Sequence, residues 1–178
     1  VLPFLLSCAA VNVVLPDGSK LELADGATGL DAARAIGPKL AEQAVLVRSN
    51  GRVKDLRLPL EDGEEIQILT TRDTEDADAL YVLRHSSAHL LAEAARRLYP
   101  GVKVAIGPPI ENGFYYDFDF PEPIVEEDLA RIEEEMKREP GEGREWTREE
   151  VTPDEAKARF DGEPYKLELV DTAEGQLS

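Results

Sequence analysis

The sequence predicts an α+β protein in two parts, and three observations carry that prediction. Two β-rich hairpin signals flank one short capped helical segment within the first 70 residues. A long helical run with a leucine stripe follows. Beyond it, an aromatic–acidic alternation marks a second antiparallel sheet packed with helices. A chain of 178 residues with 42% hydrophobic side chains is long enough for one or two domains with packed cores.

In the first part, "VNVVLPDGSKLEL" is two short runs around a Pro-Asp-Gly turn, the pattern of a hairpin. "TGLDAARAIG" supplies Thr28 as N-cap, Asp31 three residues on and Gly37 as a stop, so a short helix is expected. "AVLVRSNGRVKDL" is a second hairpin signal with Asn50-Gly51 at its tip, and "EEIQILT" is a last strand ending near Thr70. The order ββαβββ in about 60 residues is that of a ubiquitin-like β-grasp domain, assigned to residues 11–72. The polar "TRDTEDADA" after it reads as the boundary. Before it, "VLPFLLSCAA" is apolar, ends in small residues and lacks an initiating Met. "LLSC" is similar to a lipoprotein cleavage site, but no basic residue precedes it, so residues 1–10 read as an extraneous or disordered leader.

The second part, residues 76–178, opens with a helix from Asp76 to Tyr99, ended by Pro100-Gly101. In "KVAIGPPIENGFYYDFDF", Phe114, Tyr116, Phe118 and Phe120 share one face and Tyr115, Asp117 and Asp119 the other, a hairpin with one buried face. "EEDLARIEEEMKRE" spaces Leu129, Ile132 and Met136 for a helix with a solvated acidic face. A Gly/Glu loop, a helix from Pro153 to Phe160 and a strand "YKLELV" complete the pattern. The sequence closes soon after that strand, which reads as a cut.

Formal net charge is −17, of which residues 1–75 carry −4 and residues 76–178 carry −13. A nucleic-acid-binding patch normally shows as an excess of Lys and Arg; any attraction to nucleic acid must come mostly from elsewhere in a larger molecule. One cysteine, Cys8, excludes an internal disulfide framework and fits a reducing, cytoplasmic setting. No apolar run approaches the ~20 residues that span a bilayer.

Both histidines lie in "LRHSSAHLLAEAARRLYP", four residues apart. Leu80, Leu83, Ser87, Leu91, Ala94 and Leu98 form one stripe within about 40° of its centre; His85 and His89 fall about 160° away, beside Tyr81, Val82, Ala92 and Arg96. Three readings stand. In the first, the pair is exposed on a solvated face. In the second it ligates a metal, but a zinc site takes three or four ligands, and His85 is followed by Ser86 where a metalloprotease helix has Glu, so no metal is assigned. Or it serves acid–base chemistry or water positioning, to which neutral imidazoles near physiological pH are suited.

"HSSAHLLAEAARRLYPGVKVAIGPPIENGFYYDFDF" resembles the second N-terminal domain of bacterial-type threonyl-tRNA synthetases, where an HxxxH helix precedes a GPxIxxGFYYD hairpin. The preceding part resembles the TGS domain that opens those enzymes, and "PYKLELV" a later strand of their editing domain. Alanyl-tRNA synthetases and their freestanding relatives also carry an HxxxH helix, but the TGS domain and the hairpin favour the threonyl family. The resemblance implies a class II threonine–tRNA ligase whose second site hydrolyses mischarged seryl-tRNA(Thr). By residue match, His85 and His89 place or activate the attacking water, Lys166 orients substrate or stabilises negative charge, and Gly107 and Tyr116 shape the pocket. It also implies tRNA(Thr) as partner, a homodimer for the full-length enzyme, and ATP with Mg and a Zn ion in a synthetic domain, with no cofactor in these residues. The family's editing site uses a further Cys-x-x-x-His motif after the Lys166 strand. No such motif follows Lys166 here, and no synthetic-domain signature is present, which predicts an incomplete editing domain with little activity by itself. Two other readings are a TGS-containing regulatory or RNA-binding module, against which no GxxxxGK[ST] loop is found, and a standalone HxxxH hydrolase.

Overall fold

A computed structural model describes residues 10–138 and 149–172. The leader at residues 1–9 and the Gly/Glu loop lie outside the described residues; Ala10, included in that leader, instead opens the first strand. The chain divides into two compact units, Val1–Leu83 and Arg84–Ser178.

The first unit holds β1 (Ala10–Val14), β2 (Lys20–Ala24), α1 (Gly29–Ile36), α2 (Pro38–Gln43), β3 (Ala44–Ser49), β4 (Arg52–Lys54) and β5 (Ile66–Thr70), then the start of α3 (Ala77–Leu98). β1 and β2 pair antiparallel with Val11 opposite Leu23, and β3 pairs with both β4 and β5. A parallel bridge between Val14 and Glu65 sets the two sheets side by side in the order β2-β1-β5-β3-β4, the β-grasp arrangement expected. The hairpin turns follow their sequence. Gly18 (φ 82°) donates to the Leu15 carbonyl, and Asn50 (φ 47°) and Gly51 (φ 77°) supply the left-handed pair that a two-residue turn needs. Thr28 and Asp31 form a reciprocal capping box on α1. Gly37 ends α1 but does not end helical structure: Pro38, fixed at a helical φ, starts α2, a helix the sequence reading lacked. α1 closes on the sheet because Gly29 has no Cβ; one would sit 2.8 Å from Val47 Cγ1. Val11, Val13, Leu23, Ala27, Ala32, Val47, Leu56, Leu60 and Ile66 form the core beneath it.

The acidic stretch after β5 is pinned rather than loose. Asp73 accepts from the Thr70 amide and hydroxyl, and Asp76 caps α3 through the amides of Asp78 and Ala79. Arg48 on β3 pairs with Asp76 at 3.0 Å and Asp78 at 2.6 Å. Leu46, Leu69 and Ala79 make a second buried cluster flanked by Val45 and Val82. As a compact unit the first part also takes in the opening turns of α3, up to Leu83.

The second unit contains the rest of α3, then β6 (Lys103–Val104), β7 (Pro109–Ile110), β8 (Gly113–Phe114), β9 (Phe118–Asp119), α4 (Glu126–Arg138), α5 (Pro153–Arg159) and α6 (Pro164–Thr172). β7 and β8 form a tight hairpin, and β6 pairs with β9. Phe114, Tyr116, Phe118 and Phe120 are half-buried while Tyr115, Asp117 and Asp119 are exposed, as the alternation requires.

Three expectations change here. "YKLELV" is not a strand but the body of α6: Pro164 starts it, the Glu163 carbonyl accepts from the Lys166 and Leu167 amides, and Val170 is the buried residue. A six-residue apolar–polar alternation also fits helical spacing, and Lys166, Leu167 and Val170 fall on one helical face. Leu129 of α4 is 56% exposed, leaving Ile132 as that helix's buried contact. On α3 the leucines are half-buried, whereas Ala88, Ala92, Ala94 and Ala95 are buried. Ala92, expected beside the histidines on a solvent face, is 8% exposed. Small side chains let neighbouring backbone approach closely, so volume rather than hydropathy decides which positions are covered.

Candidate functional site

The HxxxH spacing stacks His85 and His89 one turn apart on α3, with ring centroids 4.7 Å apart and planes tilted by 36°. Both side chains reach the surface of the second unit. Partial burial first, then the neighbouring charges of His85 and Lys166, hold the His89 imidazole below its ordinary pKa. His89 thus stays neutral, with a lone pair available, to lower pH than an ordinary imidazole.

Lys166 comes to this face from α6. Its Nζ donates to the Ala105 carbonyl at 3.0 Å, just past β6. Burial lowers its pKa, Arg96 lowers it further and Glu163 opposes them. A partly desolvated ammonium near an imidazole of lowered pKa is a combination that can meet developing negative charge.

Gly107 and Tyr116 are brought into direct contact. Mutual hydrogen bonds between the segments, Ala105 amide to Asp117 carbonyl at 3.0 Å and Asp117 amide to Ile106 carbonyl at 2.9 Å, align them. The Tyr116 ring then lies on bare backbone: a Cβ on Gly107 would fall 2.0 Å from Tyr116 Cδ2. Phe118 stacks against the same ring at 4.9 Å. Burial raises the Tyr116 phenol's pKa, and Arg96 counters it. Tyr116 is half-buried on the hairpin's apolar face, against Gly107 and Phe118.

Two more residues join this face: Arg96, placed beside the histidines by the helical spacing but given no role, and Glu163, which the sequence does not single out. They form an ion pair joining α3 to the first turn of α6. The signal was half present, since Arg96 falls on the histidine face by the 100° rule, whereas nothing in the sequence names its partner. Among the described residues no group of three His, Cys, Asp or Glu is placed to hold a metal ion, and no helix is long and apolar enough to cross a membrane.

The first unit defines a class: residues 11–70 match the TGS domain, so this is a TGS-domain chain with an α+β unit behind it. The chain as a whole is homologous to the N-terminal region of threonine–tRNA ligases. It is 48% identical to that of Rubrobacter xylanophilus over 160 residues, 90% of this chain and 25% of the relative. It is 45% identical to that of Deinococcus radiodurans over 168 residues, covering 90% and 26%, and 44% identical to that of Anoxybacillus flavithermus over 170, covering 94% and 26%. The chain thus spans about a quarter of the length of the curated relatives it matches.

Proposed function

We propose that this chain forms the N-terminal part of a threonine–tRNA ligase and contributes to hydrolytic removal of serine from mischarged seryl-tRNA(Thr). The observation that carries the reading is Lys166 in the same unit as two neighbouring imidazoles, bonded to the Ala105 carbonyl two residues before the Gly107–Tyr116 contact. The task follows from chemistry. A threonine site that demands a hydroxyl rejects valine, but serine has the hydroxyl and lacks only a methyl group, worth about 1–3 kcal/mol of discrimination. A second, hydrolytic site supplies the rest.

In that reaction a water held by the imidazole pair adds to the ester carbonyl. The neutral histidine takes the water's proton, the Lys166 ammonium faces the carbonyl oxygen as it gains charge, and collapse expels the ribose oxygen, which receives the proton. Free serine and uncharged tRNA result. Because the His89 pKa is depressed, the acid limb of the rate profile is expected to lie below that of a free imidazole. With a net charge of −17, the chain supplies little attraction for tRNA; the remainder of the ligase holds the nucleic acid, and with it the ATP, Mg and Zn of synthesis. The resemblance supports a homodimeric, cytoplasmic enzyme.

The test is a chimera in which residues 10–172 replace the matching quarter of the Rubrobacter xylanophilus ligase. His85→Ala is expected to slow hydrolysis of preformed seryl-tRNA(Thr) by about 10²–10⁴-fold, the range for loss of an acid–base group, with threonine activation unchanged. Hydrolysis at the parent rate would remove the histidines from the reaction.

A further inference from the structure

We infer that the Arg96–Glu163 ion pair is a brace that positions Lys166 against Ala105 and His89, making Arg96 a positioning residue for the site. The inference rests on the reading above for its purpose, but its geometry is independent of tRNA. Arg96 lies seven residues after His89, about 10.5 Å along the helix and only about 20° around it, so both point to one side of α3. Its partner Glu163 is no ordinary surface acid. The Glu163 carbonyl accepts the amides of Lys166 and Leu167 at 3.0 Å each, so its backbone is the start of α6. Fixing its carboxylate to α3 therefore fixes the first turn of the helix that carries Lys166.

α6 has reason to need a brace. It is nine residues long, and isolated helices shorter than about 12–15 residues are marginal in water. Its other described anchors are buried Val170 and an ion pair from Lys157 to Asp171 at 2.5 Å at its far end, and the Glu163 amide, which donates to the Phe160 carbonyl at 2.9 Å, at its near end. Beyond that main-chain bond, the near end is held among the described residues by the Glu163 carboxylate on Arg96 and the Lys166 ammonium on Ala105. An arginine suits the role, since its planar guanidinium holds a carboxylate in a set orientation.

The charges around the site make the brace measurable. His85 and Lys166 act on His89; Arg96 and Glu163 act on Lys166. The chain has only two histidines, so its imidazole NMR signals are few, and a His85→Gln variant leaves that of His89 alone. Lys166→Met removes a cation and is expected to raise the His89 midpoint. Glu163→Gln is decisive because its two effects have opposite signs. Loss of a nearby anion by itself lowers the His89 midpoint or leaves it unmoved, whereas release of Lys166 raises it. The brace predicts a rise that approaches that of Lys166→Met and is not additive with it. Arg96→Ala is expected to behave alike, and Arg96→Lys to restore most of the parent midpoint, which a general loss of fold would not allow. A Glu163→Gln midpoint at or below the parent's, or no recovery in Arg96→Lys, overturns the brace. Either result leaves the hydrolysis reading standing, because the chimera assay tests that separately.

Discussion

The two compact units solve the problem of holding a chain together in different ways. The first has five strands of three to six residues around a core of Val, Leu and Ile, and its capping box and two-residue turn are local. The second has strands of two residues, and most of its buried apolar residues are alanines or valines. Its organising contacts are long-range and polar: Arg96 to Glu163, Arg97 to Glu135 at 3.1 Å, and Lys166 to Ala105. A core of large side chains stabilises by area removed from water and tolerates little rearrangement. A frame of ion pairs stabilises less but sets the position and charge of each group. The unit with the candidate chemistry is the one with the polar frame. The lesson is that stability and placement have been divided between neighbours in the same chain.

Shortening the first unit gives the largest test of that contrast. Residues 10–83 are expected to unfold cooperatively as an independent body in urea. Ending at residue 72 uncovers Leu46 and Leu69 and strips Arg48 of both carboxylates, at a cost of roughly 3 kcal/mol from lost burial and charged hydrogen bonds. Equal stability of the two pieces would return the boundary to the acidic stretch. Next in size, Gly107→Ala forces the Tyr116 ring off the backbone and is expected to cost about 1–3 kcal/mol, as overpacking does. Denaturation together with shifted Tyr116 ring resonances would show it; an unmoved ring would mean the contact is not close. The smallest effect compares two like motifs. Thr28 and Thr152 each close a capping box, with Asp31 and Glu155, so Thr→Ala should cost about 1 kcal/mol locally at both. At Thr28, inside a cooperative core, the loss should appear in global unfolding. At Thr152 it should appear mainly as faster amide exchange in α5. Matching global losses would mean that the second unit is as cooperative as the first.

How much was legible follows the same line. Thr28 with Asp31, Asn50-Gly51 and the alternation of Val11 and Val13 are local signals, and the β-grasp order came from them. The histidine pair, Gly107, Tyr116 and Lys166 are singled out by residue match to the resembling family, and all of them lie in the second unit. What was not legible was non-local or ambiguous. "YKLELV" satisfies two periodicities over its short length, and only contact with β6 and α5 decides between them. The acids of "TRDTEDADA" look like a linker until Arg48, from a distant strand, is seen to use them. The face of Arg96 could be read, but its partner lies 67 residues away.

The contact of Tyr116 with Gly107 has a mechanical consequence. Most pocket walls are side chain against side chain, and each side adds soft torsions that let the wall give. Here one side is main chain, with no rotor at all, and the other is a flat ring backed by Phe118. Such a contact is stiff in the way a gauge block is stiff. Anything that displaces that ring must move the backbone at Gly107 or the Phe118 ring with it.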